Sequence, residues 1–169
     1  MSLTKNIQTL LPEALSKEIL ANFEKQKITI VWSEPGIGRT TMLMDLAIVT
    51  GYEVVEFRVP QMVKGDFSGI CGFEPSFAKE VKEAHAAGKK VAFVFDEVHS
   101  ATVGAADIFA KAVLNRQIGS VTLAEHDVIL ATGLVSNEGV PNLGLLSPET
   151  LNQVVNVILT RKAAEVVTH

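Results

Sequence analysis

The chain has 169 residues, 47% of them apolar, and its 15 Lys+Arg against 19 Asp+Glu give a net charge of −4. That length supports a single domain, 1–169, whose core needs no disulfide or metal staple, and the lone Cys71 excludes an internal disulfide and a cysteine metal cage. Basic residues come no denser than Lys89-Lys90 and Arg161-Lys162, so bulk electrostatics argue against nucleic acid as the main ligand.

Leu10, Leu11, Ala14, Leu15, Ile19 and Phe23 recur at helical spacing, and Pro12 stands where a missing amide donor costs nothing, so the pattern predicts a helix over 11–26. Residues 28–32, Ile-Thr-Ile-Val-Trp, form a β-branched run that stops at Ser33-Glu34-Pro35-Gly36, a strand followed by a turn. Met42, Leu43, Leu46, Ala47 and Val49 mark the next helix, which ends at Gly51. Residues 53–59 read as a strand and 60–74 as a loop with Gly65, Gly69 and Gly72. Pro75 opens a helix that Gly88 ends. Val91-Ala92-Phe93-Val94-Phe95 is apolar on both faces, as a central parallel strand covered by helices on each side must be. A helix over 103–115, a hairpin around Gly119 and a buried strand over 128–131 follow. After a loop over 133–148 and a short helix, the last strand runs over 154–159. Strands alternating with helices predict an α/β fold, three layers with a mainly parallel sheet between helices.

Two segments carry chemistry. Ser33-Glu34-Pro35-Gly36-Ile37-Gly38-Arg39-Thr40-Thr41 joins a strand to a helix, the context a phosphate loop requires. Gly36 and Gly38 let backbone amides turn inward around an anion, and the helix starting near Arg39 aims its free amides at the same place. Thr40 would place a hydroxyl on Mg2+, and Arg39 would reach the β and γ phosphates of ATP. The usual pattern, Gly-x-x-x-x-Gly-Lys-Ser/Thr, has here Ser33 for its first glycine and Arg39 for its lysine. Arginine is planar and forked where lysine is a point charge, so binding can survive while hydrolysis weakens. An ordinary strand-to-helix turn is the competing reading.

The second segment is the apolar strand ending in Asp96-Glu97, the form of a Walker B element. In a parallel sheet, ligands collect at the carboxyl ends of the strands, which brings Asp96 beside the glycine turn. Asp96 would hold Mg2+ and Glu97 would polarise the attacking water. Alone, the acid pair could equally be a solvated strand end. His99 reads as a surface or capping residue, and His85, His126 and His169 have no metal-ligand spacing.

The order of these motifs resembles the core of AAA+ ATPases, most closely the MoxR-like branch. The resemblance runs from Ile28 to about Leu159 and includes Lys64-Gly65-Asp66-Phe67-Ser68-Gly69, Phe95-Asp96-Glu97-Val98-His99-Ser100-Ala101, Val121-Thr122-Leu123 and Val128-Ile129-Leu130-Ala131-Thr132-Gly133. It implies a P-loop NTPase sheet of five strands in spatial order 5-1-4-3-2. It also implies ATP and Mg2+ as cofactors, Glu34 to Thr41 as the nucleotide-binding loop, and Thr132 in place of the polar sensor residue, with Asn137 further along the chain. Three departures stand against this pattern: Arg39, Thr132 where Asn is usual, and Gln153 where an arginine reaching into a neighbouring subunit is usual. Arg116 and Arg161 are possible substitutes for that arginine, and the chain leaves almost no room for a helical lid.

Two function classes follow. One is an ATP-binding protein with slow hydrolysis that remodels or regulates a protein partner, alone, in a homo-oligomeric ring or in a hetero-assembly. The other is a pseudo-ATPase used as an assembly or inhibitory module. A small P-loop kinase is a third reading, disfavoured because the chain offers no basic lid to close over the phosphates. No apolar run approaches the roughly 18–20 residues that span a bilayer, and no continuous hydrophobic stretch follows Lys5, so the expectation is a soluble, cytoplasmic protein.

Overall fold

The computed structural model describes residues 7–10, 12–35, 39–63 and 76–159. In chain order it contains β1 (Ile7–Leu10), α1 (Pro12–Glu24), β2 (Thr29–Ser33), α2 (Arg39–Val49), β3 (Tyr52–Arg58), α3 (Ser76–Ala86), β4 (Lys90–Asp96) and α4 (Val103–Asn115). The short hairpin of β5 (Gln117–Ile118) and β6 (Val121–Thr122) follows, then β7 (Val128–Leu134), α5 (Pro148–Asn152) and β8 (Val155–Leu159). The main sheet has the order β1-β8-β2-β7-β4-β3, and every adjacent pair is parallel.

Without its first strand this is the expected order, 5-1-4-3-2, counted over β2, β3, β4, β7 and β8. The sheet differs from expectation in having a sixth strand: β1 pairs with β8 from Ile7↔Asn156 to Leu10↔Leu159, so Leu10, counted in the apolar pattern ahead of the helix expected over 11–26, belongs to a strand. A proline disfavours helical backbone in the residue before it, which fits a helix that begins at Pro12 itself. Ile7-Gln8-Thr9-Leu10 does not alternate apolar with polar, and the pairing that makes these residues a strand lies almost 150 residues away.

The period of two along the strands divides the core into two halves. Ile30, Trp32, Phe57, Phe93, Phe95, Ile129 and Ala131 meet Ala78, Val81, Ile108, Phe109 and Ala112, so α3 and α4 cover one face. Val31, Ala92, Val94, Leu130 and Val157 meet Leu15, Ile19, Phe23, Leu43 and Ala47, so α1 and α2 cover the other. The three-layer prediction therefore holds, and β4 is buried on both faces as its continuous apolar run requires. Among the described residues no helix is long and apolar enough to cross a membrane.

The centre of the sheet is fixed by one aromatic anchor. Trp32 is fully buried, its Nε1–H donates to Asn156 Oδ1 at 3.0 Å, and Asn156 Nδ2 donates to the Leu151 carbonyl at 3.4 Å, joining β2, β8 and α5. Gly133 stands beside Trp32 in the register, and a Cβ there would lie 2.4 Å from the indole ring. Gly133→Ala is therefore expected to cost about 1–3 kcal/mol by overpacking, read as a lower urea midpoint at unchanged slope.

Candidate functional site

The site forms at the carboxyl ends of β2, β4 and β7. β4 ends at Asp96, whose Oδ1 accepts two hydroxyl protons: from Thr40 Oγ1 on the first turn of α2 at 2.7 Å, and from Thr132 Oγ1 on β7 at 2.6 Å. The amide of Glu97 donates to Thr132 Oγ1 at 3.1 Å. Thr132 thus serves both acids of the pair, orienting one carboxylate and holding the backbone of the other. Glu97 adopts the left-handed conformation, φ 64° and ψ 51°, which a non-glycine residue occupies only at a cost. The bond that its amide donates to Thr132 helps offset that strain, which turns the half-buried Glu97 out of the line of the strand.

Arg39 opens α2 and is 8% exposed. Its Nη1 donates to Ser33 Oγ at 3.2 Å and to the Glu34 carbonyl at 3.4 Å, while Nε is buried with no hydrogen-bond partner among the described residues. Burial lowers the affinity of its guanidinium for a proton, and the negative charges of Asp96 and Glu97 oppose that shift. A buried guanidinium beside two carboxylates and carrying an unsatisfied N–H is a group with donor capacity still to be used, as an anion site needs.

His99 lies in a single 3-10 turn, 98–100, behind the acids. Its Nδ1 accepts the Leu134 amide at 3.2 Å, which puts the ring proton on Nε2. Burial lowers its pKa, the nearby Arg39 charge adds to this, and Glu97 and Asp96 work the other way. The loop after β7 closes against the same turn, where Gly144 at φ +52° leaves only 2.4 Å between a Cβ and the His99 carbonyl oxygen. His99 thus sits between the acidic turn and the β7–α5 connection, in contact with both.

Thr40, Asp96, Thr132, Glu97 and Arg39 come together at this end of the sheet. Of the loop residues, Glu34 offers its carbonyl while its side chain is exposed, Pro35 is exposed, and Thr41 faces solvent on α2. Gly36, Ile37 and Gly38 lie outside the described residues, as do the Lys64–Gly69 motif, Cys71 and Arg161. Gln153 is exposed at the end of α5, and Asn137 is exposed in a turn. Arg116 lies at the opposite, amino-terminal end of β7, where its Nη2 donates to the Ala124 carbonyl at 2.7 Å and the Asp127 carbonyl at 3.1 Å. The sequence reading missed the Ser33 hydroxyl as a partner for Arg39, although both had stood out as departures from the usual pattern.

Oxygen donors from Thr40 and Asp96 suit a hard cation, and among the described residues no cluster of three or more His, Cys, Asp or Glu could hold one unaided. That pairing suits Mg2+, which keeps waters and takes phosphate oxygens beside one or two protein ligands. Thr132→Val preserves shape but removes both bonds and leaves the Glu97 amide without its acceptor, an expected cost of about 1–3 kcal/mol read as a lower urea midpoint.

No protein-family model matches the sequence, and no curated protein matches it. Solved structures do. The Holliday junction branch migration motor RuvB of Thermotoga maritima superposes with a TM-score of 0.55 at 15% identity, covering 88% of this chain and 45% of that one. A protein of Cytophaga hutchinsonii provisionally designated an ATPase gives a TM-score of 0.58 at 13% identity, covering 94% of this chain and 48% of that one. The chain spans less than half the length of these structures. At such identities the likeness is one of fold, and with the sheet order above it gives this chain the P-loop NTPase fold.

Proposed function

We propose that the chain binds ATP with Mg2+ through an AAA+-type core of the MoxR-like branch and hydrolyses it slowly, in the service of a protein partner. The observation that carries this reading is the convergence of Thr40, Thr132 and the Glu97 amide on the end of β4, beside a buried arginine with an unused donor. Thr40 and Asp96 would hold Mg2+, which when bound neutralises charge on the phosphate oxygens. Arg39 supplies a fixed positive charge to the phosphates. Glu97 accepts a proton from the attacking water, and Thr132 keeps Glu97 and Asp96 in place. Because the Thr132 hydroxyl already donates to Asp96 and accepts from Glu97, little of it remains to orient water, which supports slow turnover.

The partner is proposed to be protein, because the net charge of −4 disfavours a polyanion, although the RuvB structure is that of a branch migration motor. Assembly into a ring or a hetero-assembly belongs to the same proposal. A pseudo-ATPase scaffold is the second reading, favoured by the exposed Gln153 where the resemblance places an arginine. Calorimetric titration with ATP and ADP, with and without Mg2+, followed by a phosphate-release assay at saturation, separates the two. Magnesium-dependent binding with release supports the ATPase, binding without release supports the scaffold, and absence of binding removes both nucleotide readings.

A further inference from the structure

The two departures from the phosphate-loop pattern, Ser33 and Arg39, touch each other. Ser33 ends β2, is fully buried, and turns its hydroxyl toward Arg39 Nη1 at 3.2 Å, with the Glu34 carbonyl accepting from the same nitrogen at 3.4 Å. A guanidinium has two donor edges. Nη1 lies on the side of the group away from Nε–H, so tying Nη1 to the strand end leaves the edge formed by Nε–H and Nη2 for another acceptor. Nε on that edge is buried and has no partner among the described residues, in a side chain that is more than nine-tenths buried. A phosphate accepts two parallel N–H bonds from just such an edge.

We infer that Ser33 is a positioning residue for Arg39: it grips Nη1 and presents the Nε–Nη2 edge side-on to a phosphate of the nucleotide, so that Ser33 and Arg39 replace the usual glycine and lysine as one unit. The inference rests on the nucleotide-binding reading above. A lysine in this setting loses the second contact, and a glycine at position 33 leaves the guanidinium without its anchor. The two losses therefore overlap, and restoring both usual residues together recovers a self-consistent loop.

The test is a double-mutant cycle on Ser33→Gly, Arg39→Lys and the combined variant, with MgATP affinity read by calorimetry and the melting temperature of each nucleotide-free protein as the folding control. Each single change is expected to weaken MgATP at least tenfold, and the combined variant to return to within about threefold of the unsubstituted chain. A purely structural pairing would not yield that rescue of affinity. Additive losses, about a hundredfold in the combined variant, overturn the pairing while leaving the nucleotide-binding reading intact. Absence of MgATP binding by the unsubstituted chain overturns both. Should Ser33→Gly fail to fold, Ser33→Ala removes the hydroxyl alone: a tenfold loss supports the anchor, and unchanged affinity overturns it.

Discussion

Glu97→Gln is expected to lower phosphate release by about 10²–10⁴-fold while MgATP affinity stays within about threefold, because the amide keeps the size of the side chain but cannot take a proton. The backbone supports this separation of effects. The left-handed conformation of Glu97 is held through its amide by Thr132 and not through its carboxylate, so the substitution leaves the turn and Asp96 undisturbed. A single-turnover assay beside calorimetry reads both quantities. Equal rates in the parent and the variant would remove Glu97 from the reaction and leave the scaffold reading, whereas joint loss of binding and release would mean that the carboxylate helps to hold the nucleotide.

The largest stability effect is expected far from the site, at Asp127→Ala. Asp127, buried just before β7, accepts from the Val91 amide at 2.9 Å, the Ala124 amide at 2.8 Å and His85 Nε2 at 2.8 Å. One carboxylate thus closes the amino-terminal edges of β4 and β7, the end of the β5–β6 hairpin connection and the last turn of α3. Alanine would leave two amides and an imidazole without their acceptor, and each buried unsatisfied group costs about 1–3 kcal/mol. The expected loss is about 3 kcal/mol, a fall in melting temperature of roughly 6–12 °C for a domain of this size, measurable by calorimetry. His85→Gln should cost less than Asp127→Ala, since the His85 side chain is 27% exposed and its loss leaves the two amide bonds in place. A shift of only a degree or two for Asp127→Ala would mean that water replaces the carboxylate at this edge.

These two positions differ in how far the sequence reveals them. Glu97 is legible because an apolar run ending in two acids and a glycine-containing turn have fixed places in a parallel sheet: both lie at the carboxyl ends of strands, whatever the details of packing. Asp127 carries no such signal. It follows His126 in a polar stretch, and its three partners stand 36, 3 and 42 positions away, so only the assembled edge gives it a role.

The sequence by itself determined the alternation of strands and helices, the double-sided burial of β4, the order of the five strands other than β1 and the placing of Asp96 and Glu97 at the carboxyl end of β4. These follow from period, from turn chemistry and from the resemblance, all of which are carried by contiguous segments. The tertiary structure alone decided that Ile7–Leu10 is a strand, that Ser33 anchors Arg39, that Thr132 spends its hydroxyl on both acids and that Gly133 yields its space to Trp32. Each of these depends on a partner brought close by the folding of the sheet, and hydrogen bonds and van der Waals contacts act over a few ångströms of space whatever the separation along the chain.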